Sequence, residues 1–393
     1  MPTSRSRRDC KTTIGACSPR LSKEPVVPVP PPSVPARDRA IARRLATGLA
    51  RRGVQFRAGE FALLEGASGS VAVLAMILWT QASHRPADIW GAYAAFWACL
   101  ADNRLHAASR LRAMALFVIG GAVLATAMTA MVHPALPLTA TLAAVAVAAI
   151  TFVAGRSYGM ATVGMLLGVV VVVAAEWPVD AAGPMAVGIA FLAGGGLALL
   201  LRIGSVYVLE RPNRHRDAAR PAPPELPSTR SALLHAASAG VAVFACFLAA
   251  HGLGLAYPQW ATMTAVVVIT VNIRTSSWRA VERIAGTLIG TAIVMVLIGH
   301  ANGRVALEAL VLPLAALTIA LRAVNYTIFV GCVTPLFVVI AKIALPLQSA
   351  GAPQARAVDT IVGTSIALVI CTLIAGLVRW IDTRRSPAPS ARR

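Results

Sequence analysis

The chain has 393 residues, 57% of them hydrophobic and only 13% charged, with a mean hydropathy of +0.70. Soluble domains carry about 25% charged residues, so this composition excludes an ordinary soluble domain and points to a polytopic membrane protein. The net charge of +20 is nearly all arginine, the only lysines being Lys11, Lys23 and Lys342; it fits tails and loops held at an anionic inner leaflet better than a nucleic-acid partner, which is not expected.

Residues 1–57 form a basic tail. No apolar core follows the early arginines, so it does not read as a signal peptide. "PVVPVPPPSVP" (25–35) is proline-rich and extended. "DRAIARRLATGLARR" (38–52) sets Ile41, Leu45 and Leu49 on one stripe among arginines. It reads either as a basic helix on the membrane surface or as a solvated tail.

Long runs that are apolar on every face predict helices rather than barrel strands. Twelve spans are expected, near 60–80, 89–103, 113–132, 136–154, 158–175, 183–203, 231–250, 257–273, 282–299, 305–321, 324–345 and 358–378. With the N-terminus inside, only Arg85, Arg304, Lys342 and Arg356 of the 36 Lys+Arg fall outside. That bias predicts both ends on the cytoplasmic side of a cell inner membrane. A polar, proline-rich linker, 211–230, divides a first membrane half (58–210) from a second (231–380), and a basic tail, 381–393, closes the chain.

The halves repeat. At a shift of 170 residues "ALLEGASGSVAV" (62–73) lies over "ALLHAASAGVAV" (232–243), eight of twelve residues being identical. Trp90 falls on Trp260, Arg104 on Arg274 and Gly120 on Gly290. Six spans per half is an even number, so the repeats are parallel, about an axis along the membrane normal. The first repeat is the more degenerate. The seam between halves is the expected pathway.

The stretch "YPQWATMTAVVVITVNIRTSSWRAVERIAGTLIGT" (257–291) interrupts apolar sequence with Arg274, Arg279, Glu282 and Arg283. Arg274 ends an apolar span and is matched by Arg104, so these two are expected to meet an anion at the cytoplasmic mouth. Arg279 is expected to set topology. Gly286 and Gly290, four apart, are expected to face a neighbouring helix.

The same stretch, with "RAVNYTIFVGCVTPLFVVI" (322–340) and "ARAVDTIVGTSIALV" (355–369), resembles the fusaric acid resistance protein-like family of aromatic acid exporters. The core is also similar to that of plant aluminium-activated malate channels. The resemblance covers 231–380 and is weaker in the first half, which lacks the Gly-Thr pair. It implies movement of carboxylates, with Arg274, Arg104, Trp260, Thr264, Arg283 and Tyr326 as substrate-binding residues and Gly363 as a further packing glycine. Soluble regions common in the exporters are absent apart from the short linker.

No phosphate-binding GxxxxGK[ST] loop occurs, so active transport must draw on an ion gradient. Glu65, its repeat partner His235, and Asp359 are the ionisable candidates for coupling. For Asp359 the competing reading is a local salt bridge with Arg356, which Lys342 can join. The seven histidines are scattered, and neither HExxH nor GxSxG occurs, so no enzyme, metal site or cofactor is expected. The six cysteines show no metal or disulfide spacing. The sequence therefore reads as an all-α exporter of small organic carboxylates, aromatic ones included. A passive anion channel and a non-transporting anchor are the alternatives. Lipids, a periplasmic adaptor and a second copy of the chain are the partners left open.

Overall fold

The computed structural model describes residues 61–103, 105, 107–131, 135–176, 183–209, 226–270, 273–301, 303–344 and 351–385. The tail readings for 1–57 and 386–393, most of the linker, and Arg104 lie outside the described residues, as does the side chain of Arg274.

The described residues form twelve α-helices and no strand. They are α1 (Leu63–Ser83), α2 (Ile89–Ala101), α3 (Ala107–Met131), α4 (Leu136–Gly155), α5 (Ala161–Ala175), α6 (Pro184–Gly204), α7 (Thr229–Gly252), α8 (Pro258–Val268), α9 (Ile273–His300), α10 (Arg304–Leu321), α11 (Tyr326–Ala344) and α12 (Ala352–Arg385). Nine are long and apolar enough to cross a membrane; α2, α5 and α8 are shorter. At 1.5 Å per residue, the 11 residues of α8 reach only about half of a ~30 Å hydrocarbon core.

Local sequence explains the helix starts. Pro137, Pro184 and Pro258 sit in the first turns of α4, α6 and α8, where no amide partner is lost. The Ser228 hydroxyl caps α7, accepting from the Ser231 amide at 3.2 Å.

Small residues decide the packing. α9 lies on α11, and a Cβ at Gly290 would sit 2.7 Å from Thr334 Cβ and 2.8 Å from the Gly331 carbonyl oxygen. Pro335 leaves that carbonyl without its helical donor, and only a glycine lets α9 come this close. Gly286 meets Thr327 and Val330 on the same face. Gly363 of α12 abuts the Ala261 carbonyl of α8, and Gly194 of α6 abuts the Gly91 carbonyl of α2 in the same way. Gly120 differs from expectation. A Cβ there meets only Leu167, at an ordinary 3.6 Å, while its neighbour Gly121 is pressed against the Phe191 ring.

The helix contacts follow one scheme twice. α6 packs on α1, α2 and α3, as α12 packs on α7, α8 and α9. α5 packs on α3 and α4, as α11 packs on α9 and α10. Between the halves, α1 lies on α10 and α4 lies on α7.

Candidate functional site

Charged side chains gather at one end of the bundle. Glu65 at the start of α1 is bound by Arg110 of α3 (2.7 Å), Arg202 of α6 (3.1 Å) and Arg322 after α10 (3.2 Å). Asp102, following α2, takes Arg110 through both carboxylate oxygens, at 2.9 and 2.7 Å, and Arg202 at 3.3 Å. Arg322 also donates to the carbonyls of Cys99 and Asp102. Three guanidiniums and two carboxylates thus form a mostly buried clamp. Arg322 ties the second half to the first. Low-dielectric pairs of this kind are stable only as a complete set.

Beside the clamp is a cavity of about 560 Å³ between the halves. Asp102 and Arg322 belong to its wall, with His235 of α7, Arg279 of α9 and Tyr326 of α11. α8 stops at its edge: Ile269 turns to extended backbone, and the freed Thr270 amide donates to the Ser276 hydroxyl at 2.9 Å. Non-helical backbone at membrane depth is tolerated where it lines such a cavity. The Arg279 guanidinium stacks 4.8 Å from the Tyr326 ring centroid. Arg279 Nε, the Tyr326 hydroxyl and His235 Nδ1 are buried with no hydrogen-bond partner among the described residues.

A second polar region lies deeper in the second half. Arg356 is fully buried, with its guanidinium 5.1 Å from the Trp260 ring and 5.9 Å from that of Phe337. Trp260 stacks on Tyr257 at 4.2 Å, and Tyr93 stacks on Trp97 and Phe337. Arg356 lies within electrostatic reach of Arg283, Asp359, Tyr93 and Tyr326. Glu176, beyond α5, accepts from the Thr262 hydroxyl at 2.8 Å.

These positions sort the expected residues. Tyr326 and His235 line the cavity, and Arg283 and Trp260 belong to the deeper region. Arg279, expected to serve topology, is on the cavity wall. Glu65 is committed to three arginines, a placement suited to holding helices rather than cycling a proton. Thr264 donates to the Trp260 carbonyl at 2.8 Å and packs under Gly363, so its hydroxyl is spent within its own helix. The salt bridge expected at Asp359 is not formed. Both of its oxygens are buried without a hydrogen-bond partner among the described residues, and neither Arg356 nor Lys342 pairs with it there. Sequence reasoning missed Arg110, Arg202, Asp102 and Glu176. Each is a single charge at a helix end, which resembles a loop charge until neighbouring helices converge on it.

Nine helices long and apolar enough to cross a membrane, packed around buried charges and a cavity, suit a transporter-like, multi-pass membrane protein. A family model described as fusaric acid resistance protein-like matches residues 242–370, from α7 into α12, which supports the resemblance read from the second half. No curated protein and no solved structure matches the chain.

Proposed function

We propose that the protein exports small organic carboxylates, aromatic ones included, across the inner membrane, drawing on an ion gradient. One observation carries the reading: the cavity between the halves presents an arginine stacked on a tyrosine, with donor atoms that no described residue satisfies. A carboxylate answers the guanidinium, and an aromatic ring attached to it fits the apolar remainder of the wall. The cavity lies at the end where the clamp arginines gather, which the charge bias assigns to the cytoplasm. The doubled packing scheme, with the matching Gly363–Ala261 and Gly194–Gly91 approaches, supports twelve spans in two parallel repeats. The short helices α2 and α8 hold equivalent places in the halves, a common mark of a transport site.

Passive conduction of organic anions is the second reading, favoured by the interior Arg279, Arg283 and Arg356, which keep unpartnered donors among the described residues. An exporter extrudes against a gradient, whereas a channel only dissipates one. The test is a deletion strain grown on a panel of aromatic carboxylates. Heightened sensitivity to at least one, reversed by the plasmid-borne gene, is the expected result. Unchanged sensitivity across the panel argues against export of this substrate class.

A further inference from the structure

The deeper region of the second half holds a pattern that the cavity does not use. On α9, Arg283, Thr287 and Thr291 follow at four-residue intervals; on α12, Arg356, Thr360 and Thr364 do the same. Residues four apart share a helix face, and these two helices pack together. All six side chains are buried, none more than 7% exposed. The Thr291 hydroxyl reaches the Pro353 carbonyl at 3.5 Å, which sets the two helices in register. From that level Arg283 lies roughly 12 Å toward the arginine-rich end, and Arg356 about 4.5 Å, at 1.5 Å rise per residue.

The threonines are unusual in how they are satisfied. Buried threonines in helices commonly donate to the carbonyl four residues back, as Thr126, Thr264 and Thr318 do here. The hydroxyls of Thr287, Thr360 and Thr364 have no hydrogen-bond partner among the described residues, nor does that of Thr334 on α11 beside them. Arg283 Nε and Arg356 Nε and Nη1 are likewise without one. A buried donor left unmade costs about 1–3 kcal/mol, more when charged. Several such donors on two facing stripes mark a place built for something that accepts hydrogen bonds. Of the nearby acids, Asp359 forms no ion pair with Arg356 and Glu176 is held by Thr262, so both guanidiniums keep unpartnered donors among the described residues. The chemistry that fits is a small anion.

We infer that the paired Arg-Thr-Thr stripes of α9 and α12 form a second anion station, built on two helices of the second half and bordered by Tyr93 of the first. Arg279 stands four residues before Arg283, so the α9 face runs without interruption from the cavity to the station. At the same rise per residue, an anion leaving Arg279 passes Thr364, meets Arg283 and Thr360, and then Thr287 and Arg356 between Trp260 and Phe337. A carboxylate and a halide are both answered by this donor set. The inference rests on the transport reading but assigns the route to different residues.

The test is calorimetric binding of sodium benzoate, and separately of sodium chloride, to the purified full chain at constant ionic strength. The variant Thr287→Val/Thr360→Val/Thr364→Val removes three hydroxyls at almost unchanged shape. It is expected to bind at least one of the two anions roughly tenfold more weakly, the scale of one lost hydrogen bond to a charge. Its melting temperature should not fall, because removing unpartnered buried hydroxyls is neutral or stabilising. Thr318→Val, at a hydroxyl satisfied by Leu314, is the control and should bind as the parent does. Weakening for benzoate alone assigns the station to carboxylates, and for chloride alone to halides. Parent-like affinity of the triple variant for both anions overturns the station. If Arg279→Gln then weakens binding, the cavity reading survives it. If the parent binds neither anion, both readings fall.

Discussion

At the scale of single residues, the decisive fact is which charges are matched. Glu65 and Asp102 satisfy three arginines, while Arg279, Arg283 and Arg356 keep unpartnered donors among the described residues. The first set holds helices together and the second is open to a ligand. Glu65→Gln should therefore act on stability. Breaking a buried ionic set costs roughly 3–5 kcal/mol, and a clear drop in melting temperature of the detergent-purified protein is expected. A normal melting curve combined with lost transport would instead return Glu65 to a coupling role. The sequence singled out the arginines of 274–283 but could not set Arg279 on the cavity wall. That placement depends on α8 ending at Val268 and on Tyr326 arriving from a distant helix.

At the scale of elements, the glycines and the short helices govern the arrangement. The Gly286/Gly290 spacing was readable as a contact face because four residues return to the same side of a helix. Gly120 was not readable, since the tight contact falls one residue on, where Gly121 meets the Phe191 ring. Gly290→Leu should force α9 off α11. Overpacking costs roughly 1–3 kcal/mol where neighbours can yield, and more is expected here because the Gly331 carbonyl and Pro335 are backbone and ring. Much less folded protein should be recovered from membranes. Gly120→Leu, beside the mobile end of one leucine, should be recovered at nearly the parent level. Equal yields for the two would show that the α9–α11 contact does not carry this weight. Hydropathy marked the nine helices long enough to cross a membrane and the shorter α2, α5 and α8, but could not say that most residues of α2 and α8 are buried. Burial is a property of the neighbours, and the apolar composition of a span looks the same whether it faces lipid or protein.

At the scale of the whole molecule, the halves meet through α1 on α10 and α4 on α7, with the Glu65–Arg322 pair across the clamp and the cavity alongside. The charge bias, from which a cytoplasmic linker is expected, is a whole-sequence signal. A reporter active only in the periplasm, fused after Arg220 in the linker, should stay silent. Strong activity would invert the orientation and place the cavity on the other side. The central claim is that an anion enters by the cavity wall at Arg279. It is tested most directly by efflux of radiolabelled benzoate from preloaded cells expressing the parent, Arg279→Gln or Arg274→Gln at equal membrane levels. The account predicts efflux at least roughly tenfold slower for Arg279→Gln, the loss of one charged hydrogen bond; Arg274→Gln, at a side chain outside the described residues, shows whether that arginine shares the role. Parent-like efflux from Arg279→Gln would contradict it.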